Sequence, residues 1–226
     1  MPAPSSGFPG PPLAIDWNRR LPVDLGAMRN DQIGDCVFAA MGHAHQTWTG
    51  AALGNPITPT DDDVVRAYSI CTGYNPAVAG TDNGAVILVA LNHWRRTGIG
   101  GRRIDAYCAV NFRDLRHVQA AIDLFGGILV GAAMPRSAQR LDWTGKVNPT
   151  GDDAPGTWGG HGMWCPTYDH LGPGFVTWGH RQRADWQWWN NYVDEAYVAL
   201  SPEWTARMTA PNGFDYAKLL AYIASL

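Results

Sequence analysis

The sequence predicts an α+β protein, helical in its first half and strand-rich in its second. Three observations carry that reading. Between residues 36 and 98 apolar side chains recur at helical spacing in segments bounded by capping residues and glycines. Beyond residue 126 the apolar runs shorten to strand length and are separated by Gly and Pro. The 226 residues, 46% of them hydrophobic, suffice for one substantial core or two small lobes sharing an interface. Segregated helices and strands also allow a cleft where the two halves meet.

The opening "MPAPSSGFPGPPL", residues 1–13, lacks the basic and continuous apolar regions of a signal peptide and reads as an extended or disordered arm. "LAIDWNRRLPVDLGAM" is expected as extended chain, because Pro22 and Gly26 oppose a helix. In "CVFAAMGHAHQTWTG", Val37, Ala40, Met41, Ala44 and Trp48 define a helix with Asp35 at its N-cap and Gly50 at its end. "TPTDDDVVRAYSIC" offers Thr60 or Asp61 as a cap and three aspartates, Asp61 to Asp63, as a solvated first turn that suits the helix dipole. "TDNGAVILVALNHWRRTG" is a third helix closed by Gly98, and "RDLRHVQAAIDLFG" a fourth. "GILVGAAM", "HGMWCPTY", "PGFVTWGH" and "EAYVALS" read as strands, and "FDYAKLLAYIASL" closes the chain as an amphipathic helix. The helical lobe is expected over residues 30–100, the β-rich lobe over 101–205 and the last helix over 213–226. No internal repeat is visible.

A net charge of -3 with no basic block gives no footprint for nucleic acid or an anionic membrane. No stretch reaches the roughly 18 uninterrupted apolar residues of a membrane span; "GAVILVALNHW" ends at Asn92 and His93. A soluble protein, cytoplasmic on synthesis, is expected. Cys36, Cys71, Cys108 and Cys165 are sparse for this length and read as reduced thiols. His43 and His45 in "HAH" point in different directions on a helix and have no Cys or carboxylate at ligand spacing, so neither metal nor cofactor is expected.

Two residues carry chemistry. Cysteine attacks as the thiolate, which a helix N-terminus stabilises with unpaired N–H groups, and Cys36 stands at such a terminus. His161, between glycines in "WGGHGMWCPTY", begins a strand with little bulk around its ring and can reach a thiol across a cleft. A buried small hydrophobe and a strand-end histidine without a role are the plainer readings of each taken alone.

Taken together and in order, the segments resemble papain-like cysteine peptidases over most of the chain. "IDWNRRLPVDLGAMRNDQIGDCVFAA" is similar to that family's mature N-terminus, with an amide-rich turn, a Gly-x-Cys nucleophile and a small-residue helix. "DDDVVRAYSICTGYN" and "GTDNGAVILVALNHWRRTGI" resemble its second and third helices, and "VQAAIDLFGGILVGAAM" its helix and "GPVSVAI"-type strand. "GGHGMWCPTYD" is similar to the catalytic "HAV…VGYD" strand, and "GFVTWGH…WWNNYVDEAYVALS" to the closing "NSWG…WG…GY…I" region.

The resemblance implies a papain-like fold: a helical N-terminal lobe, a strand-rich antiparallel half-barrel and a cleft between them. It makes Cys36 the nucleophile, His161 its general base and Trp178 the tryptophan beside them. The family's oxyanion-hole Gln falls at Asn30, with Gln32 as a nearby alternative. The Asn that orients the histidine falls at Val176 or, with a one-residue slip, at Thr177; valine cannot hydrogen-bond an imidazole, whereas threonine can accept from it. Cys71 and Cys108 occupy places resembling structural cysteines of the family and could pair in an oxidising compartment, reduced core thiols being the expected state. Cys165 is expected in the core.

The implied activity is acyl transfer to water on a peptide or related amide, including a cell-wall amide, by a thiol hydrolase without a large propeptide, as in compact bacterial and phage relatives. The alternative is a weak or inactive papain-fold binding or assembly protein, for instance a virion component contacting other virion proteins. "DWQWWNNY" is expected to pack beneath the site rather than form a sugar platform. "TGKVNPTGDDAPGTWGG" is a candidate lid or substrate rim.

Overall fold

In the computed structural model, which describes residues 10–140, 143–144, 150–206, 210–213 and 215, the elements follow in the order β1 (Ile15–Asp16), α1 (Cys36–Leu53), α2 (Asp61–Thr72), α3 (Ile87–Arg96), β2 (Ala106–Ala109), α4 (Leu115–Phe125), β3 (Ile128–Met134), β4 (Gly159–Tyr168), β5 (Pro173–Thr177), β6 (His180–Arg183), α5 (Trp186–Tyr192), β7 (Val193–Leu200) and α6 (Pro202–Thr205). The strands form one open antiparallel sheet in the order β2-β7-β3-β4-β5-β6, and β1 pairs with β4 beside this path. The architecture is therefore α+β, with α1, α2 and α3 ahead of the main sheet and α4, α5 and α6 interspersed with or following its strands. The helix expected over 213–226 falls outside the described residues, positions 213 and 215 excepted, as do residues 1–9 of the arm.

Several expected boundaries move for identifiable reasons. Helix α1 runs through Gly50 to Leu53 and stops at Gly54, whose φ of 74° is left-handed. Gly50 is there for space, since a Cβ on it would collide with the Leu21 side chain. Helix α3 begins at Ile87 rather than within "TDNG", because that stretch is irregular chain tied to Gly34 and Tyr68 by Asp82. Helix α2 begins as expected: Thr60 and Asp63 form a reciprocal capping box. Elements that were not expected are the short strand β1, the edge strands β2 and β6 and the short helices α6 and α5. Helix α5 starts where the Asp185 side chain accepts the Trp188 N–H at 2.6 Å. Its Trp188 and Trp189 are buried, so the Trp-rich segment packs inside the protein.

Strand alternation gives the sheet two apolar faces. Leu129, Trp164 and Val176 face the core built on α1, while Val130, Met163, Cys165 and Phe175 face a second core closed by α4 and α5. Helix α1 is buried on every side from Val37 to Gly50, polar residues included. Those polar groups act as ties. Gln46 Nε2 donates to Leu25 O at 2.8 Å, Trp164 Nε1 donates to Thr47 Oγ1 at 2.9 Å, and Trp94 Nε1 donates to His45 Nε2 at 3.1 Å. His43 Nδ1 lies 2.9 Å from Gln46 Oε1. The "HAH" pair thus belongs to the core.

Burial holds His43 and His45 neutral, pushing their pKa values down to about 4 and about 3. The unfolded chain protonates both below about 6.5, so their contribution to stability is complete above that pH and is lost as pH falls towards the folded values. His45→Gln keeps an acceptor for Trp94 and removes one titration. The stability gap between wild type and His45→Gln, measured by urea unfolding, is expected to narrow steadily from pH 7 to pH 4. A gap independent of pH contradicts a neutral buried His45.

Candidate active site

Cys36 opens α1, with Asp35 at the N-cap position as expected. The cap itself is absent: the Asp35 side chain takes no helix N–H and is instead fully buried. What positions the sulfur is the contact between this first turn and β4. Gly162 faces α1, and a Cβ on it would lie 2.9 Å from Val37 Cγ2 and 3.0 Å from Val37 Cα. With no side chain there, the helix end lies against the strand, and the Gly162 N–H donates to Cys36 Sγ at 3.3 Å. The glycine after His161 therefore matters for close approach as well as for leaving the ring uncovered.

His161 is opposite Ala132 of β3 and points to the other face of the sheet from Gly162. Its Nε2 lies 2.6 Å from Thr177 Oγ1. With Nε2 protonated, the ring donates to the threonine hydroxyl and Nδ1 keeps its lone pair. Val176 faces the α1 core with 1% exposure, so strand alternation puts Thr177, and not Val176, beside the histidine. Trp178 stacks on His161 with centroids 4.6 Å apart and planes inclined by 21°. It sits in the two-residue turn between β5 and β6, where Trp178 has φ 50° and Gly179 φ 76°, both positive as a twisted hairpin turn requires. A left-handed tryptophan is strained, and here the strain sets the indole over the imidazole.

Of the two oxyanion candidates, Asn30 lines the same pocket as Cys36 and His161, with Nδ2 donating to Ile33 O at 3.4 Å. Gln32 does not line it; its amide is exposed and donates to Asp31. The pocket, about 330 Å³, is completed by Gly34, Asn83, Gly84, Met134, Trp158, Gly159, Gly160 and Trp178. Asp82 links its two turns: its carboxylate accepts from Gly34 N at 3.0 Å and from the Tyr68 hydroxyl at 2.6 Å, and the Gly84 N–H donates to that hydroxyl oxygen at 3.0 Å. Asn83, Gly84 and Met134 escaped the sequence reading. The "DNG" turn signal could have exposed the first two; Trp158 lay in the segment read as a substrate rim.

Burial is the largest effect on Cys36 and pushes the thiol up; the Gly162 N–H pulls it back, the neighbouring Asp35 raises it, and the helix-end N–H groups of Val37 and Cys36 lower it as expected. Burial likewise pushes His161 down to about 4. Each shift disfavours one charge formed alone. Both residues line the same pocket. The other thiols are free. Cys165 is buried as expected and Cys71 is half-buried, but Cys108 is exposed, because β2 is an edge strand paired only with β7. Among the described residues no His, Cys, Asp and Glu cluster is arranged to hold a metal ion, and no helix is long and apolar enough to cross a membrane.

Comparison with solved structures identifies the architecture. The fold is that of papain-like cysteine proteases. The chain is similar to xylellain, a cysteine protease from Xylella fastidiosa, with a TM-score of 0.64 and 17% identity over 84% of this chain and 87% of that one. It is also similar to the Carica candamarcensis cysteine protease CMS1MS2, whose structure holds E-64, with a TM-score of 0.60 and 14% identity over 84% of this chain and 99% of that one. A third similar structure is procathepsin L 3 from Tenebrio molitor larval midgut, with a TM-score of 0.61 and 14% identity over 88% and 73% of the two chains. No protein-family model matches the sequence, and no curated protein matches it significantly.

Gly162→Ala tests the geometry directly. The added methyl has to displace Val37 and with it the first turn of α1, so the variant is expected to lose about 1–3 kcal/mol of stability by overpacking and to alkylate at Cys36 at a rate clearly different from that of wild type. Alkylation by iodoacetamide, read for each cysteine by mass spectrometry, measures this. Unchanged labelling of Cys36 would show that the Gly162 contact does not position the sulfur.

Proposed function

We propose that the protein is a cysteine peptidase or amidase that cleaves a peptide or related amide bond. Cys36 is the nucleophile, His161 the general base and acid, Thr177 the group that orients the imidazole, and Asn30 with the Cys36 N–H the oxyanion donors. The cysteine proton passes to His161 as sulfur bonds to the substrate carbonyl carbon; collapse of the adduct breaks the carbon–nitrogen bond, and the same proton leaves with the amine. Water, deprotonated by His161, then releases the acyl group and restores the thiol. The observation that carries this reading is the junction at His161–Gly162. The sulfur accepts from one residue of the pair while the ring of the other is held by Thr177. That hydroxyl supports the enzyme over the binding or assembly protein, because it supplies an acceptor where the family's amide is missing.

E-64, the ligand of the Carica candamarcensis protease structure, is the probe. One equivalent is expected to attach covalently at Cys36, and Cys36→Ala is expected to abolish both labelling and cleavage across a panel of peptides and muropeptides. Wild type that takes up no E-64 and cleaves nothing would replace the hydrolase with the binding or assembly reading.

Thr177→Val keeps the shape and removes the hydroxyl. It is expected to lower kcat/KM about 10-fold, the equivalent of one net hydrogen bond of about 1.4 kcal/mol, with little loss of stability. Thr177→Asn is expected to preserve or raise cleavage. Val176→Asn buries an unpaired amide in the α1 core and is expected to cost a few kcal/mol of stability, on the order of 2–4. Equal effects of Thr177→Val and wild type on kcat/KM would remove Thr177 from the site.

A further inference from the structure

Asp35 stands between pocket-lining Gly34 and the nucleophile candidate Cys36, yet its side chain is 0% exposed. A carboxylate at an N-cap ordinarily takes helix N–H groups. Here Phe38 and Ala39 donate to the Asp35 main-chain oxygen, and neither carboxylate oxygen has a well-formed hydrogen bond. The groups that act on it are few and mostly acidic. From its own turn come the Asn30 amide and Cys36; from the turn before α3 comes Asp82; from α2 come Asp61 and the Tyr68 phenol. Asn30 is the amide that lines the pocket. A buried carboxyl with acidic company is thus lodged behind both the sulfur and the oxyanion donor.

We infer that Asp35 is a positioning residue that sets the alkaline limit of the thiol site. As a neutral acid it leaves the Asn30 amide free to turn to an oxyanion and leaves negative charge on Cys36 unopposed. As a carboxylate it draws the Asn30 N–H to itself and repels the charge that the reaction places first on sulfur and then on the substrate oxygen. Burial raises its pKa to about 7, with Asn30 pulling it back and Asp82 and Asp61 raising it further. The change between the two states therefore falls in the neutral range. Only the hydrolysis arm of the test rests on the proposed function; the alkylation arm needs no turnover.

The experiment compares wild type with Asp35→Asn, a near-isosteric neutral replacement, from about pH 5 to about pH 10. The second-order rate of iodoacetamide alkylation at Cys36 is read by mass spectrometry and kcat/KM by cleavage of a peptide substrate. The alkylation midpoint is expected to fall by about one pH unit or more in Asp35→Asn, the size of effect a single nearby charge produces. The decline of wild-type kcat/KM above about pH 7 is expected to move to higher pH. Superimposable alkylation curves overturn the inference. If the chain cleaves nothing but the alkylation shift appears, the hydrolase reading falls and the control of Cys36 by Asp35 stands. Should Asp35→Asn fail to fold, the side-chain carboxyl carbon of Asp35 in the wild type, assigned through the backbone by NMR, decides. Titration near neutrality supports the inference, and titration below about pH 5 overturns it.

Discussion

The first turn of α1 rests against Gly162 of β4 with no side chain between them, and the N–H of that glycine reaches the sulfur of Cys36. A helix and a strand more than 120 residues apart in sequence are joined at this point, and the rest of the site follows from it. Because α1 is buried on every side, it cannot slide away from the sheet without exposing Trp48, which stacks on Trp94 and meets Trp164 edge to face. The sulfur is therefore held by the packing of the whole core. On the strand side, alternation commits His161 and Thr177 to one face while Gly162 and Val176 take the other. The same period-two rule that builds the core separates the groups that hold the ring from the group that meets the thiol.

Desolvation dominates the electrostatics. It pushes the thiol up and the imidazole down, so each isolated ion is disfavoured. The Gly162 N–H, which donates to the sulfur, favours its anion. Asp35 works in the other sense. The Cys36 sulfur thus has an acidic neighbour that disfavours its anion and an amide donor that favours it.

The fold was legible because its strongest signals are local. The capping box at Thr60 and Asp63, the apolar spacing of α4 and the short Gly-bounded strands each follow from nearby residues. That Cys36 and His161 line one pocket was legible from residue type and from the order of the segments around them. The choice between Val176 and Thr177 was not, since it depends on register, and a one-residue slip exchanges the two faces of a strand. Asp35 was placed correctly at the helix start and misread as a cap, because the sequence does not show that the turn before it points the carboxyl inward. Asp82 was read within a helix for a similar reason: its partners, Gly34 and Tyr68, lie far away in sequence. Gly162 looked like room for a histidine ring, and its contact with Val37 exists only once α1 and β4 are docked.

The central claim is that Cys36 and His161 share one proton. It is tested most directly by ¹⁵N NMR of histidine-labelled protein, following the ring nitrogens of His161 through pH in wild type and in Cys36→Ala. The account predicts two different titration curves. In Cys36→Ala the ring is protonated only in strong acid, near the value of about 4 that burial imposes, whereas in wild type part of the ring remains protonated at higher pH because the thiolate stabilises it. Identical curves in the two proteins would show that thiol and imidazole titrate independently, and would contradict the account.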